Sequence, residues 1–283
     1  YILHPMIARK LYYSLSPKMR RVVRRLVYMP IDVIEKVTGK QNPMIPPKGM
    51  IFTGSGDFEK SGKAIMQLCI DYANLKPDGV ILDIGCGIGR LAIPLTQYLN
   101  KFGAYFGFDV VADGIDWCTK KVSSQYPNFD FKYTPLRNDL YNLNAQQKAE
   151  NFIFPYQDNL FDVVVLTSVF THMQPAEVQH YLKQIKRVLK PGGHCLATFF
   201  LINENTIELL KGNPNLMQFN FEYDGYYLHD DKVKDANIAF KTSSLNNMAN
   251  QANLTIKTLN NGWWKGGDKT QSLNYQDVVI FTA

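Results

Sequence analysis

Between Val80 and Leu95 the chain reads VILDIGCGIGRLAIPL. An apolar run of strand length closes on a carboxylate, Asp83, and three glycines alternate at Gly85, Gly87 and Gly89. A run this short and this continuously apolar fits a strand buried on both faces. Glycines directly behind it open backbone conformations closed to other residues, so the chain can turn sharply from strand into helix. A doubly buried strand needs helices on both sides of its sheet, which is the parallel α/β arrangement. The chain keeps that rhythm to residue 201. Apolar stretches predict strands near 80–84, 104–109, 129–134, 161–167 and 194–201, with amphipathic helices near 89–100, 112–125 and 175–190. Pro191-Gly192-Gly193 is expected to stop the last of these helices. Residues 202–240, rich in Asn, Asp and Tyr, break the alternation and read as an insertion over the ligand-binding edge, a substrate lid. A helix near 243–252 and strands 254–259 and 275–282 finish the chain.

In a doubly wound sheet, ligands bind beyond the carboxyl ends of the strands. A glycine turn there brings backbone against a ligand. Dinucleotide enzymes use G-x-G-x-x-G to seat a pyrophosphate at a helix N-terminus. Here the spacing is G-x-G-x-G, and Arg90 stands where the third dinucleotide glycine would be. Asp83, two positions ahead of the first glycine, would repel a phosphate and suits a ligand carrying positive charge.

LDIGCGIGR resembles motif I, D/E-x-G-x-G-x-G, of the class I S-adenosylmethionine-dependent methyltransferases. YFGFDV ends in Asp109, twenty residues after Gly89, where that family places the acid that accepts from both ribose hydroxyls. FPYQDNLFDVVVLTSVFTHM and YLKQIKRVLKPGGHCLATFF look like the family's fourth-strand region and the helix and strand after it. The resemblance implies a Rossmann-like, mostly parallel seven-stranded sheet with an antiparallel last strand, over residues 51–283. It also implies S-adenosylmethionine as cofactor and cofactor-contacting positions along the turn. Gly85, Cys86 and Gly87 would lie under the methionine and ribose, and Asp83 would hold the ammonium side. Asp109 would clamp the ribose and Val110 pack on adenine. Asn138 and Asp139 fit the adenine-amino position, although Asp139 equally suits a turn cap. Leu166, Thr167 and Ser168 would end the fourth strand beside the methyl group. Cys86 reads as a small apolar filler, not a nucleophile. A nicotinamide-dependent oxidoreductase and a non-catalytic cofactor-binding scaffold are the rival readings.

His172, in SVFTHM just past the fourth strand, is the candidate base for a hydroxyl acceptor; the alternative is a ring that only shapes the pocket. The (D/N)-P-P-(Y/F) sequence of DNA amino-methylating enzymes is replaced by T-S-V-F, no cysteine sits in that loop, and the paired glutamates of protein arginine methyltransferases are missing. A small-molecule, glycan or lipid-linked acceptor, methylated on oxygen or secondarily on nitrogen, is what these exclusions leave. NGWWKGG (261–267) reads either as an aromatic wall or as a hairpin turn covering the sheet's end. No metal site is expected: Cys69, Cys86, Cys118 and Cys195 are scattered, with no C-x-x-C, and read as reduced thiols of a cytoplasmic protein.

The net charge of +6 is uneven. Residues 1–48 hold ten Lys/Arg against Asp32 and Glu35, which leaves the remainder slightly acidic. Residues 1–50 therefore form a basic helical arm and linker. Met19, Val22, Val23 and Leu26 have helical spacing in 17–29, with arginines on the other faces; Pro30 is expected to end or kink this helix, and a second one is expected near 31–37. Three fates stand open for the arm. Its arginines can be a solvated face while the apolar residues pack on the core or a second subunit. They can contact an anionic membrane surface peripherally through 17–29, at the inner face. The third, nucleic acid, is disfavoured because no aromatic–basic platform accompanies the arginines.

Overall fold

A computed structural model describes residues 15–39, 42–52, 54, 56–138, 142 and 145–283. In chain order the strands are β1 (Val80–Ile84), β2 (Ala104–Asp109), β3 (Phe129–Tyr133), β4 (Phe161–Leu166), β5 (Leu189–Phe199), β6 (Leu201–Ile202), β7 (Phe221–Tyr223), β8 (Tyr226–Leu228), β9 (Ile238–Lys241), β10 (Thr255–Asn260) and β11 (Asp277–Thr282). The helices are α1 (Pro17–Val37), α2 (Phe58–Asp71), α3 (Ala92–Leu95), α4 (Ala112–Cys118), α5 (Pro175–Val188), α6 (Glu204–Gly212) and α7 (Thr242–Gln251).

Seven strands make the main sheet in the order β10-β11-β5-β4-β1-β2-β3. β1 to β5 pair in parallel, and β11 runs antiparallel between β5 and β10. The strands are apolar on both faces because both are covered. Leu82, Ile84, Val164 and Leu166 pack into a core with Val178, Leu182 and Ile185 of α5 and Leu245 of α7. Ile81, Val163 and Val165, one residue out of phase, pack on the other face with Ile65 and Leu68 of α2, Leu95 of α3 and Ile115 of α4. Each such fully buried side chain contributes about 1.5–3 kcal/mol relative to exposure. Chain order reverses at β1, which has β2 on one side and β4 on the other. The crevice at that switch point is where this architecture binds ligands.

Residues 201–241 form a second sheet, β6-β9-β8-β7, that continues directly from the end of β5. It carries its own small core, in which Phe200, Tyr227 and Trp264 are buried together.

Several local expectations need correction. The helix expected over 89–100 is reduced to α3 with turns around it. Gly89 sits at φ +80°, outside the helical region, and Pro94 cannot donate to the Arg90 carbonyl. That carbonyl is instead closely approached by Gly62 of α2, where a Cβ would clash with it. The Pro-Gly-Gly stop lies inside β5, which begins at Leu189 and shifts register against β4 between Phe161 and Val163. Pro30 does not end the arm helix, which runs unbroken to Val37. The bond Pro30 removes is the one to the Leu26 carbonyl, and both residues are exposed, so water can satisfy that carbonyl.

Candidate active site

The turn after β1 is built as the glycines require. Gly85, Gly87 and Gly89 have φ of +74°, +60° and +80°. The N–H groups of Gly85 and Cys86 both donate to the Phe108 carbonyl at the end of β2, at 2.9 and 3.2 Å. A Cβ on Gly85 would overlap the Val169 side chain, so the loop after β4 lies directly against the turn at the switch point.

Asp109 ends β2 and is buried. Its Oδ2 accepts from the Gly87 N–H and its Oδ1 from the Val111 N–H, each at 2.8 Å. One carboxylate thus pins the middle of the glycine turn and the entry to α4. Burial raises its pKa to about 6 against the pull of those hydrogen bonds. Asp83 ends β1, also buried, and its Oδ2 accepts from the Tyr105 hydroxyl at 2.7 Å. Burial, with a smaller contribution from the Asp109 charge, pushes it up to about 7 although the Tyr105 bond pulls the other way. Among the described residues neither carboxylate forms a salt bridge. Two buried acids with no counter-charge favour a cationic ligand.

Tyr105 was not anticipated as part of this site. Its reach depends on register: Asp83 pairs with Gly107, and a Cβ there would crowd both the Tyr105 hydroxyl and Cys86. Cys86 is buried and its thiol is pushed well above its ordinary range by burial, which suits a filler and not a nucleophile. Val110 is half-buried and packs on the core beside Phe108.

On the β4 side, Thr167 is half-buried and Ser168 exposed. Ser168 adopts φ +57°, a left-handed conformation uncommon for a non-glycine residue. Neighbours hold it there: its N–H donates to Thr198 Oγ1 at 2.8 Å and its Oγ to Gln276 Oε1 at 2.9 Å, and Thr198 also donates to Gln276 at 2.6 Å. Thr198 and Gln276 come from β5 and the approach to β11, far apart in sequence, and no local signal linked them to the site. Strain sustained by a surrounding network is typical of functional loops.

Four residues on, His172 is half-buried. Its Nδ1 lies 2.8 Å from the Asp235 carbonyl in the second sheet's connecting loop, and the Ala236 backbone also bonds the ring. The Asp235 carbonyl favours a proton on Nδ1. Burial lowers the ring's pKa, outweighing those carbonyls, and favours the neutral form. Asn138 Nδ2 donates to the His172 carbonyl at 3.4 Å, which brings the loop after β3 to the loop after β4. Asp139 lies outside the described residues. His180 bonds the Phe152 carbonyl through Nε2 at 2.7 Å, and His194 lies in β5.

The tryptophans of NGWWKGG cover the sheet's end. Trp264 is buried and its Nε1 donates to Asp277 Oδ2 at 2.8 Å, and Trp263 stacks edgewise on Tyr275.

Sheet order, the antiparallel β11, and a glycine turn backed by acids at the ends of β1 and β2 make up the class I, Rossmann-like methyltransferase fold. Dinucleotide folds have a sixth parallel strand instead. The family model described as "Methyltransferase domain" matches residues 82–197. The chain is 24% identical over 134 residues to the 2-phytyl-1,4-naphtoquinone methyltransferase of Trichormus variabilis, covering 47% of this chain and 52% of that one. It is 29% identical over 130 residues to the tRNA N(3)-methylcytidine methyltransferase Mettl2 of Drosophila melanogaster, covering 46% and 36%. The alignments span about half or less of these curated relatives. A crystal structure of an S-adenosylmethionine-dependent methyltransferase from Clostridium acetobutylicum superposes with a TM-score of 0.51 at 16% identity, over 81% of this chain and 92% of that one. That likeness is one of fold.

Proposed function

We propose that this chain is an S-adenosylmethionine-dependent methyltransferase acting on an oxygen of a small-molecule, glycan or lipid-linked acceptor. The observation that carries the cofactor reading is the pair of buried carboxylates, Asp83 and Asp109, without a counter-charge among the described residues, beside a bare glycine turn. Asp83 would face the ammonium and sulfonium side, Asp109 the ribose hydroxyls, and Gly85 to Gly87 would lie beneath the chain joining them. Val110 and Asn138 would border the adenine. When bound, the sulfonium supplies an electrophilic methyl group. The protein's task is then to align the acceptor and exclude water.

His172 supports oxygen as the acceptor. Burial biases its ring toward the neutral form, and the Asp235 carbonyl at 2.8 Å from Nδ1 fixes the ring's orientation just past the fourth strand. The His172 ring would take the proton of an acceptor hydroxyl. Base assistance of this kind typically accounts for about 10²–10⁴ in rate. Ser168 and Thr167 would border the methyl, held by the Thr198–Gln276 network.

The test uses methyl-labelled S-adenosylmethionine with fractionated lipid, glycan and small-molecule extracts. Label recovered on oxygen, with turnover falling about a hundredfold or more in His172→Ala, is expected. Label on carbon or nitrogen removes the oxygen assignment, and unchanged turnover removes the base. Failure of the protein to bind the cofactor at all removes the whole reading.

A further inference from the structure

Helix α1 is mounted with its apolar side outward. Its less exposed stripe is polar: Arg21, Arg24, Tyr28, Asp32 and Glu35 recur at three- and four-residue spacing and are half-buried. This stripe docks the helix on the domain. Arg25 and Arg21 approach Asp113 Oδ2 of α4 at 3.1 and 3.6 Å. Asp32 accepts from the N–H groups of Lys48 and Gly49 at 2.8 and 3.0 Å, and Glu35 pairs with the Lys48 ammonium. Arg24 Nε donates to the Lys48 carbonyl at 3.3 Å.

The opposite face carries Met19, Val22, Leu26, Met29, Val33 and Val37, again at helical spacing, and all six are exposed. Leu26 is 62% and Val37 80% exposed. Of the four residues read as able to pack on the core or a second subunit, Met19, Val22 and Leu26 are exposed and Val23 is half-buried. A contiguous apolar stripe of this length on a soluble surface marks an interaction site. One margin is cationic: at 100° per residue, the exposed Lys18 and Lys36 border its edge. Both acids of the helix, Asp32 and Glu35, are committed to the inward contacts.

We propose that α1 is a membrane-docking helix that lies in the plane of an anionic lipid surface. Its apolar stripe enters the acyl boundary and its marginal Lys18 and Lys36 meet headgroup phosphates. The charge pattern selects lipid over a second copy of this chain. Self-packing through the stripe would bring the Lys18–Lys36 margins of two copies together with no outward acid to offset them. Asp113 lies near the start of α4, just past the carboxyl end of β2, so the lipid-facing helix is anchored at the crest that carries the candidate site. Lipid docking does not depend on the methyl-transfer reading.

The full chain is tested by co-sedimentation with vesicles of phosphatidylcholine alone and of phosphatidylcholine with about a third phosphatidylglycerol. The protein is expected to pellet with the anionic vesicles at least tenfold more strongly than with the neutral ones. Leu26→Glu combined with Val33→Glu removes that binding without lowering the thermal midpoint of the body. Lys18→Gln with Lys36→Gln weakens it severalfold. Leu26→Trp strengthens it, with a blue-shifted emission on vesicles. Absence of binding to anionic vesicles, or equal binding by the double-Glu chain, overturns the proposal. So does a dimer in sedimentation equilibrium that the double-Glu change dissolves, which assigns the stripe to a second copy.

Discussion

Two kinds of buried carboxylate stand at the same crest of the sheet, and they are treated in opposite ways. Asp277, at the start of β11, is fully buried and fully matched. Its Oδ1 accepts from the Gly262 N–H at 2.8 Å and pairs with the Lys265 ammonium at 3.0 Å, while its Oδ2 accepts from the Leu201 N–H at 2.7 Å and the Trp264 indole at 2.8 Å. One acid staples the 261–267 turn, the exit of β5 and β11 together. Among the described residues, Asp83 and Asp109 receive neutral donors alone: the Tyr105 hydroxyl for the first, and backbone N–H groups of the glycine turn and of the β2–α4 junction for the second. A carboxylate that serves the fold brings its counter-charge with it. A carboxylate that serves a cationic ligand stays undercompensated until the ligand arrives, and its raised pKa is the mark of that deficit.

The contrast can be broken by mutation. The largest effect is expected from Asp277→Ala, which strands the poorly exposed Lys265 ammonium and three donors; it should cost about 3–5 kcal/mol of stability in denaturant titrations. Saturating S-adenosylmethionine should not selectively restore it. A loss below about 1 kcal/mol would show that the staple is dispensable. Asp109→Ala comes next. It should weaken S-adenosylmethionine binding at least tenfold, about 1.4 kcal/mol, by calorimetry. It should also lower stability by about 1–3 kcal/mol, because the Gly87 and Val111 N–H groups lose their acceptor.

Smaller still is the effect of pH. Asp83 is held at about 7 and Asp109 at about 6, both above the ordinary value near 4. Each therefore binds its proton more tightly in the folded chain than in the unfolded one. Their contribution to ligand-free stability is greatest below about pH 4 and is lost as pH rises through 6 and 7. Cofactor affinity runs the other way, because the ionised carboxylates attract it. An Asp83 that is mostly neutral at pH 6 and mostly ionised at pH 7.5 predicts roughly eightfold tighter binding at the higher pH. A flat affinity profile across that interval would mean that Asp83 does not face the ligand's charge.

Much of this site was legible in the sequence because its elements are local. The glycine spacing, Asp83 ahead of it and Asp109 at the end of the second strand sit within 30 residues, and doubly buried strands announce themselves by unbroken apolarity. What was not legible depends on pairing across distance. Tyr105 reaches Asp83 only because the register sets Gly107 opposite it. His172 is oriented by a carbonyl 63 residues away, and Ser168 by Gln276, 108 residues away. The tryptophan turn could be read as a wall or as a cover until Asp277 was seen to hold Trp264. Periodicity likewise showed that α1 has two faces without showing which one docks, because Asp113, Lys48 and Gly49 are contacts of the fold, not of the helix.

The most direct test is Asp83→Asn, which keeps an oxygen for the Tyr105 hydroxyl to donate to and removes only the charge. Calorimetric titration with S-adenosylmethionine at pH 7.5 should give binding at least tenfold weaker, about 1.4 kcal/mol, while the ligand-free thermal midpoint stays level or rises. Undiminished affinity, or a fold that loses stability as an Asp277 variant does, would contradict the assignment of Asp83 to a cationic ligand.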